Sequence, residues 1–197
     1  MRDFDPQSRE RWEHRFERLD RESVPAEPTL PMLDCVEFFK GRNVAEILDV
    51  GCGDGRWAVF LARRGFVVQG FDFSERAVRY AQAWADRENL VVEIVPGTVT
   101  EFPFEGEIFD AAVASLVLDV LTPREMAMAI DQLAARVRRG GALFALFHPY
   151  PEPGDERVRP YRDNDLRRVF PAFRLLDFRS YSGGWRGLFL KRLSSND

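Results

Sequence analysis

Apolar residues near the start of the chain recur every three to four positions. Between Ser8 and Leu19, Trp12, Phe16 and Leu19 share one stripe with charges between them, which predicts an amphipathic helix. Pro31 to Phe39 predicts a second helix, with Met32, Leu33, Val36 and Phe39 on one side. From Glu46 the pattern alternates between short apolar runs and helical periods. "EILDVG" is apolar almost throughout, as suits a strand buried on both faces. Arg56 to Arg64 predicts a helix, with Gly65 placed for a left-handed cap. "VVQGFDF" is a second strand. Ser74 can cap the helix that follows, which runs toward Asn89 with Ala77, Val78, Ala81 and Trp84 inward. "VVEIVPG" and "FDAAVAS" are the third and fourth strands. Thr122, Pro123 and Glu125 form a capping-box signature, and the helix they open is expected to stop near Gly140–Gly141. "ALFALFHP" is the fifth strand. Asp163 to Phe170 predicts a short helix carrying Leu166, Val169 and Phe170. "FRLLDFRSY" and "WRGLFLKRL" are two last strands joined at Ser182–Gly184.

This alternation predicts an α/β fold: a doubly wound, Rossmann-like sheet of seven strands, mostly parallel. The terminal hairpin predicts one antiparallel edge strand. Residues 1–43 are expected to form an N-terminal helical cap or lid, and 44–193 the ligand-binding domain, with one domain overall. Ligands of such sheets bind at the carboxyl ends of the strands.

Composition narrows the function. The net charge of −4 over 197 residues lacks the basic footprint of a nucleic-acid binder. The local "RVRRGG" and "DLRRVF" read as solvated helix ends. Two cysteines, Cys35 and Cys52, fit a reduced, cytoplasmic protein. The charged N-terminus is no signal peptide, and no run approaches the ~20 apolar residues of a membrane span. No metal is called for.

The candidate chemistry lies in "ILDVGCGDGRW". Gly51, Gly53 and Gly55 alternate at the end of the first strand. A dinucleotide fingerprint wants a small residue at position 56, where this chain has Arg56, and no G-K-[ST] follows for a phosphate loop. With "VVQGFDFSERAVRYA", "FDAAVASLVLDVL" and "VRRGGALFALFHP", the stretch resembles the class I S-adenosylmethionine-dependent methyltransferases over about Val44 to Tyr150.

The resemblance implies S-adenosyl-L-methionine as cofactor and a set of residues to hold it. Asp49 would orient the ammonium end, and Gly51, Cys52 and Gly53 would offer backbone to the amino-acid part. Asp72 would accept from the ribose hydroxyls; the alternative is a residue that only starts a helix beside Ser74. Phe73 would flank the adenine. Thr98 stands where the family usually has an acidic residue facing the adenine, with Val99 offering its amide. Ser115 and Leu116 would present carbonyls to the methionine part.

The acceptor is less defined. His148, at the end of the fifth strand, could deprotonate or bind it, or be a loop histidine bonded to backbone. Asp119 could bind a cationic acceptor, pair with an arginine or cap a turn. Tyr150 could line the pocket or pack. Trp12 and Phe16 could close over the cofactor or dock the first helix on the core. The layout is similar to small-molecule members, including the tellurite-resistance and thiol methyltransferases and those acting on quinone precursors. The expectation is methyl transfer to a small molecule by a monomer or homodimer, with no nucleic-acid or membrane partner. A cofactor-binding regulatory protein without turnover and a protein or RNA methyltransferase stay open.

Overall fold

Strand β1 (Glu46–Val50) lies in the middle of the sheet, and its sequence explains why. Ile47, Leu48 and Val50 are fully buried, and hydrogen bonds run on both sides to parallel neighbours. A run buried on both faces needs no polar alternation. In the computed structural model, which describes residues 6–17, 28–151 and 161–194, seven strands form one sheet. The others are β2 (Val67–Asp72), β3 (Val92–Pro96), β4 (Phe109–Ser115), β5 (Val137–Phe147), β6 (Phe173–Ser180) and β7 (Arg186–Arg192). Their order is β3-β2-β1-β4-β5-β7-β6. The terminal hairpin supplies the expected antiparallel strand. It is β7, seated between β5 and β6 and one place in from the edge.

Helices cover both faces. On one face α2 (Leu30–Lys40) and α3 (Arg56–Ala62) bury Met32, Phe39, Phe60 and Leu61 against Ile47, Val68, Val113 and Phe144. On the other, α5 (Pro123–Arg136) buries Met126, Ile130 and Leu133 against Leu48, Ala112 and Leu143. Helix α4 (Glu75–Arg87) begins at Ser74, whose side chain accepts from the Ala77 amide. A single turn, α6 (Asp163–Leu166), precedes β6. Gly55 belongs to packing: a Cβ there would lie 2.6 Å from that of Ala81.

Three expectations change in detail. Leu33 is 41% exposed, so α2 turns Cys35 inward with Met32, Val36 and Phe39. In α4 the buried position falls to Ala85, while Trp84 lies half-buried with its indole donating to Glu88. Helix α5 ends at Arg136, before the two glycines. The buried Val137 already pairs with Phe109, and the glycines sit inside a register shift of β5. A Cβ on Gly141 would be 2.5 Å from the Asp110 carbonyl oxygen, so this glycine permits strand contact rather than ending a helix.

The first helix is α1 (Pro6–Glu17). Leu19, expected on its apolar stripe, lies outside the described residues.

Candidate active site

Beyond β1 the chain turns sharply over Gly51–Gly55, with Gly51 at φ 65° and Gly53 at φ 53°. These left-handed conformations suit glycine. The two are not equivalent. A Cβ on Gly51 would lie 2.6 Å from Val117 Cγ2, so this glycine lets the loop pack on the segment after β4. A Cβ on Gly53 would meet only the Phe16 ring, at 3.7 Å, and the residue faces the cavity beneath α1.

That cavity, of about 230 Å³, opens at the carboxyl ends of β1, β2 and β4. Asp49, Gly51, Cys52, Gly53, Asp72, Phe73, Thr98, Val99, Ser115 and Leu116 all line it. So the structure gathers the whole expected cofactor set in one place. Trp12 and Phe16 line it from α1, stacked with ring centroids 5.9 Å apart.

The electrostatics concentrate on two carboxylates. Asp72 Oδ2 accepts from the Gly53 amide and Oδ1 from the Ser74 amide, each at 3.0 Å. Each carboxylate oxygen has a further lone pair to offer. Burial pushes the Asp72 carboxyl up to about 6, against those two amides, which pull it down. Asp49 is buried, and its Oδ2 has no hydrogen-bond partner among the described residues. Burial, with Asp72 and Asp54 nearby, raises its carboxyl to about 8. An orphaned buried acceptor beside two other carboxylates favours a cation or donor from the cavity. A ligand with an ammonium group, a sulfonium and ribose hydroxyls meets that requirement.

Thr98 lines the cavity beyond β3, and its Oγ1 accepts from the Glu101 amide at 3.2 Å. Cys52 is tied to β2 by its amide, which donates to the Phe71 carbonyl oxygen at 2.9 Å. Its thiol is held protonated by burial, then by the acidic neighbours Asp49, Asp72 and Asp54.

Helix α1 is fastened to α4. Ser74 Oγ donates to Glu13 Oε2 at 2.8 Å, and Arg76 donates to the carbonyl oxygens of Phe16 and Glu17. Arg9 lies over the Phe73 ring at 5.4 Å. No motif marked Arg76, because its partners are backbone atoms far away in sequence.

The expected catalytic pair sits elsewhere. Asp119 is fully buried: Oδ2 accepts from the His148 amide at 2.7 Å, and Oδ1 lies 3.1 Å from His148 Nδ1. Fully buried and outside the lining of the cavity, Asp119 is not placed to bind a cationic acceptor. It straps the segment after β4 to the end of β5. Neither residue lines this cavity or the second one that adjoins it. The His148 carbonyl oxygen accepts from Arg186, and its ring packs 5.5 Å from Trp185. Tyr150, which the sequence leaves open as pocket lining or packing, is 51% exposed and lines neither of these two cavities. Among the described residues no cluster could hold a metal ion, and no helix is long and apolar enough to cross a membrane.

A second cavity, of about 320 Å³, adjoins the first. Arg56, Trp57, Ser115 and Leu116 line both. Its walls come from the start of α2, from α3, and from the β6–β7 turn with Tyr181 and Trp185. Sequence reasoning missed it. Arg56 had served only to exclude a fingerprint; here it donates to Asp54 Oδ2 at 2.6 Å at the junction of the two cavities.

Comparison with known proteins agrees with this architecture. Residues 47–141 match the family described as a methyltransferase domain. A ubiquinone biosynthesis O-methyltransferase of Methylobacterium sp. (strain 4-46) is 35% identical over 99 residues, covering 50% of this chain and 39% of that protein. The chain matches between 25% and 39% of the length of the first such curated relatives. Among solved structures, the N-methyltransferase NodS from Bradyrhizobium japonicum WM9, in complex with S-adenosyl-L-homocysteine, superposes with TM-score 0.79 at 16% identity, covering 95% of this chain and 99% of that one. An S-adenosylmethionine-dependent methyltransferase from Clostridium acetobutylicum ATCC 824 gives TM-score 0.74 at 12% identity, over 94% and 99%. At these identities the superpositions speak for the fold.

Proposed function

We propose that this chain is a class I S-adenosylmethionine-dependent methyltransferase, as its match to a methyltransferase domain over residues 47–141 supports, and that it transfers the cofactor's methyl group to a small molecule held in the second cavity. The observation that carries the reading is the meeting of the two cavities at Arg56, Trp57, Ser115 and Leu116. A donor site and an acceptor site that share a wall can align two reactants and exclude water, which is most of what a transfer from an activated donor needs.

In this reading Asp49 takes the ammonium end, and the backbone of Gly51, Cys52 and Gly53 follows the amino-acid part. Asp72 accepts from the ribose with its remaining lone pairs. Phe73, Thr98 and Val99 flank the adenine. Ser115 and Leu116 lie at the junction, where the methionine part meets the acceptor. Trp12 and Phe16 keep water out from above, and an aromatic ring there also favours a sulfonium charge. The cofactor would supply an activated methyl group on positive sulfur, open to displacement by the acceptor's lone pair with the thioether as leaving group. The curated relatives named for ubiquinone biosynthesis support a small organic acceptor. His148 and Asp119 act in this scheme behind the wall, through Trp185.

Calorimetric titration tests the reading. S-adenosylmethionine and S-adenosylhomocysteine should bind the wild type, and Asp72→Asn should lose about ten-fold or more, since charge-assisted bonds contribute ~1.5–3 kcal/mol each. Absence of binding by either compound overturns the proposal.

A further inference from the structure

The second cavity has a chemistry of its own. Three of the four tryptophans of the chain line it: Trp57, Trp84 and Trp185. Phe60 and Tyr181 add two more rings. Such a wall favours flat apolar ligands, because ring–ring contacts add to the burial of apolar area.

The walls are also braced. Trp57 packs on the buried Phe144, with centroids 5.5 Å apart. Trp185 is backed by His148, which Asp119 fixes through both oxygens. At the junction Leu116 takes a left-handed backbone, φ 60°, secured by its amide donating to the Leu146 carbonyl oxygen at 2.8 Å. A non-glycine residue in that region is strained and persists only where its surroundings impose it, as at many ligand sites.

Charge is largely cancelled at this cavity. Arg56 pairs with Asp54, and Arg63 makes two bonds to Glu88, at 2.7 and 2.6 Å. The Tyr181 hydroxyl donates to Asp34, which also takes Arg179. A charged ligand would lose water there and find no unpaired counter-charge in these groups. A cationic ligand fares worst, because guanidinium groups already lie over two of the rings: Arg64 over Phe60 at 3.4 Å and Arg63 over Trp84 at 5.8 Å. Polar recognition has donors available: among the described residues the indole N–H groups of Trp57 and Trp185, unlike that of Trp84, do not donate to a protein acceptor.

We infer that the second cavity selects an uncharged, planar aromatic or heteroaromatic molecule as methyl acceptor. The inference rests on the methyltransferase reading, since it names the acceptor class for that same site.

The test uses the full chain saturated with S-adenosylhomocysteine. 2-Naphthol, its fully saturated analogue decahydro-2-naphthol, 2-naphthoate and 2-naphthylmethylammonium are titrated by calorimetry. The naphthol should bind about ten-fold or more tighter than the saturated and the two charged compounds, as one to two ring contacts allow. Trp185→Leu should lose about five-fold or more of the naphthol affinity and Trp185→Phe much less, with S-adenosylhomocysteine affinity unchanged, since Trp185 does not line the first cavity. Equal or tighter binding of the saturated or a charged analogue overturns the inference, as does unaltered naphthol affinity in a folded Trp185→Leu. If S-adenosylhomocysteine itself does not bind, the methyltransferase reading falls instead.

Discussion

Arg76 donates through Nε to the carbonyl oxygen of Phe16 at 2.9 Å, and through Nη2 to that of Glu17 at the same distance. The last turn of α1 therefore ends on a cation from the first turn of α4. A positive group suits that end of a helix, where carbonyls lack partners within the helix. Replacing Arg76 by Ala should free α1 without disturbing the sheet. We expect S-adenosylhomocysteine affinity to fall by about five-fold, given the ~1 kcal/mol of a partly solvated charged bond. Amide exchange in α1 should quicken while the melting temperature of the core holds.

The raised carboxyl of Asp49 couples cofactor binding to pH. Its value in the folded protein is about 8, against 3.8 for the free side chain, with burial as the main cause. A carboxyl raised on folding stabilises the unliganded protein most at low pH. That contribution is lost as pH climbs from about 4 to about 8. A cation placed beside Asp49 favours the ionised form, so binding should release a proton below pH 8. Affinity for S-adenosylmethionine should rise from pH 6 to 8 and then level. Titrations in buffers of different ionisation enthalpy read the released proton directly, and Asp49→Asn should flatten the profile.

Gly51 gives a test that separates steric from backbone strain. Gly51→Ala places a Cβ 2.6 Å from Val117 Cγ2 at a left-handed φ of 65°. The expected loss is about 2–4 kcal/mol, combining overpacking with ~1–2 kcal/mol of backbone cost. Adding Val117→Ala should restore only the steric part. Gly53→Ala, with no contact closer than 3.7 Å, should lose only the backbone part. Urea midpoints of the four proteins decide the matter.

Much of this arrangement is legible in the sequence because it is local. The apolar run Ile47–Val50, interrupted only by Asp49, marks a central strand, and Thr122 with Glu125 marks a helix start through contacts three residues apart. The cofactor wall is legible for the same reason: its residues lie at or just beyond strand ends, and strand ends meet. The second cavity is not, because Trp57, Trp84 and Trp185 belong to three separate elements. Helical periodicity places Trp84 inward without saying that half of it faces a cavity. Gly140–Gly141 misleads because a glycine pair serves equally to end a helix or to let a strand pass close to its neighbour. Asp119 and His148 read as candidate chemistry because buried and catalytic polar residues look alike before their partners are known.

That pair also predicts a stability effect. Asp119→Ala leaves the His148 amide and ring without their acceptor in a buried place and should cost about 3 kcal/mol. Asp119→Asn keeps one carbonyl acceptor for the amide and should cost clearly less. S-adenosylhomocysteine affinity should be unchanged in the folded variants, because neither residue lines the cofactor cavity. Thermal unfolding and calorimetry together check both parts.

The position of β7 bears on how the chain can fold as it is made. This strand follows β6 in sequence, yet it pairs with β5 on one side and β6 on the other. While the ribosome is still adding residues 186–192, β5 offers a bare flank built of Leu143, Phe144 and Leu146. Until β7 arrives, β6 has no neighbour to join. The closing pairings span long stretches of chain, which slows them. An open hydrophobic flank can meanwhile capture another nascent chain. Strand β7 thus acts as a keystone: its insertion between β5 and β6 closes a sheet edge that other chains could otherwise join.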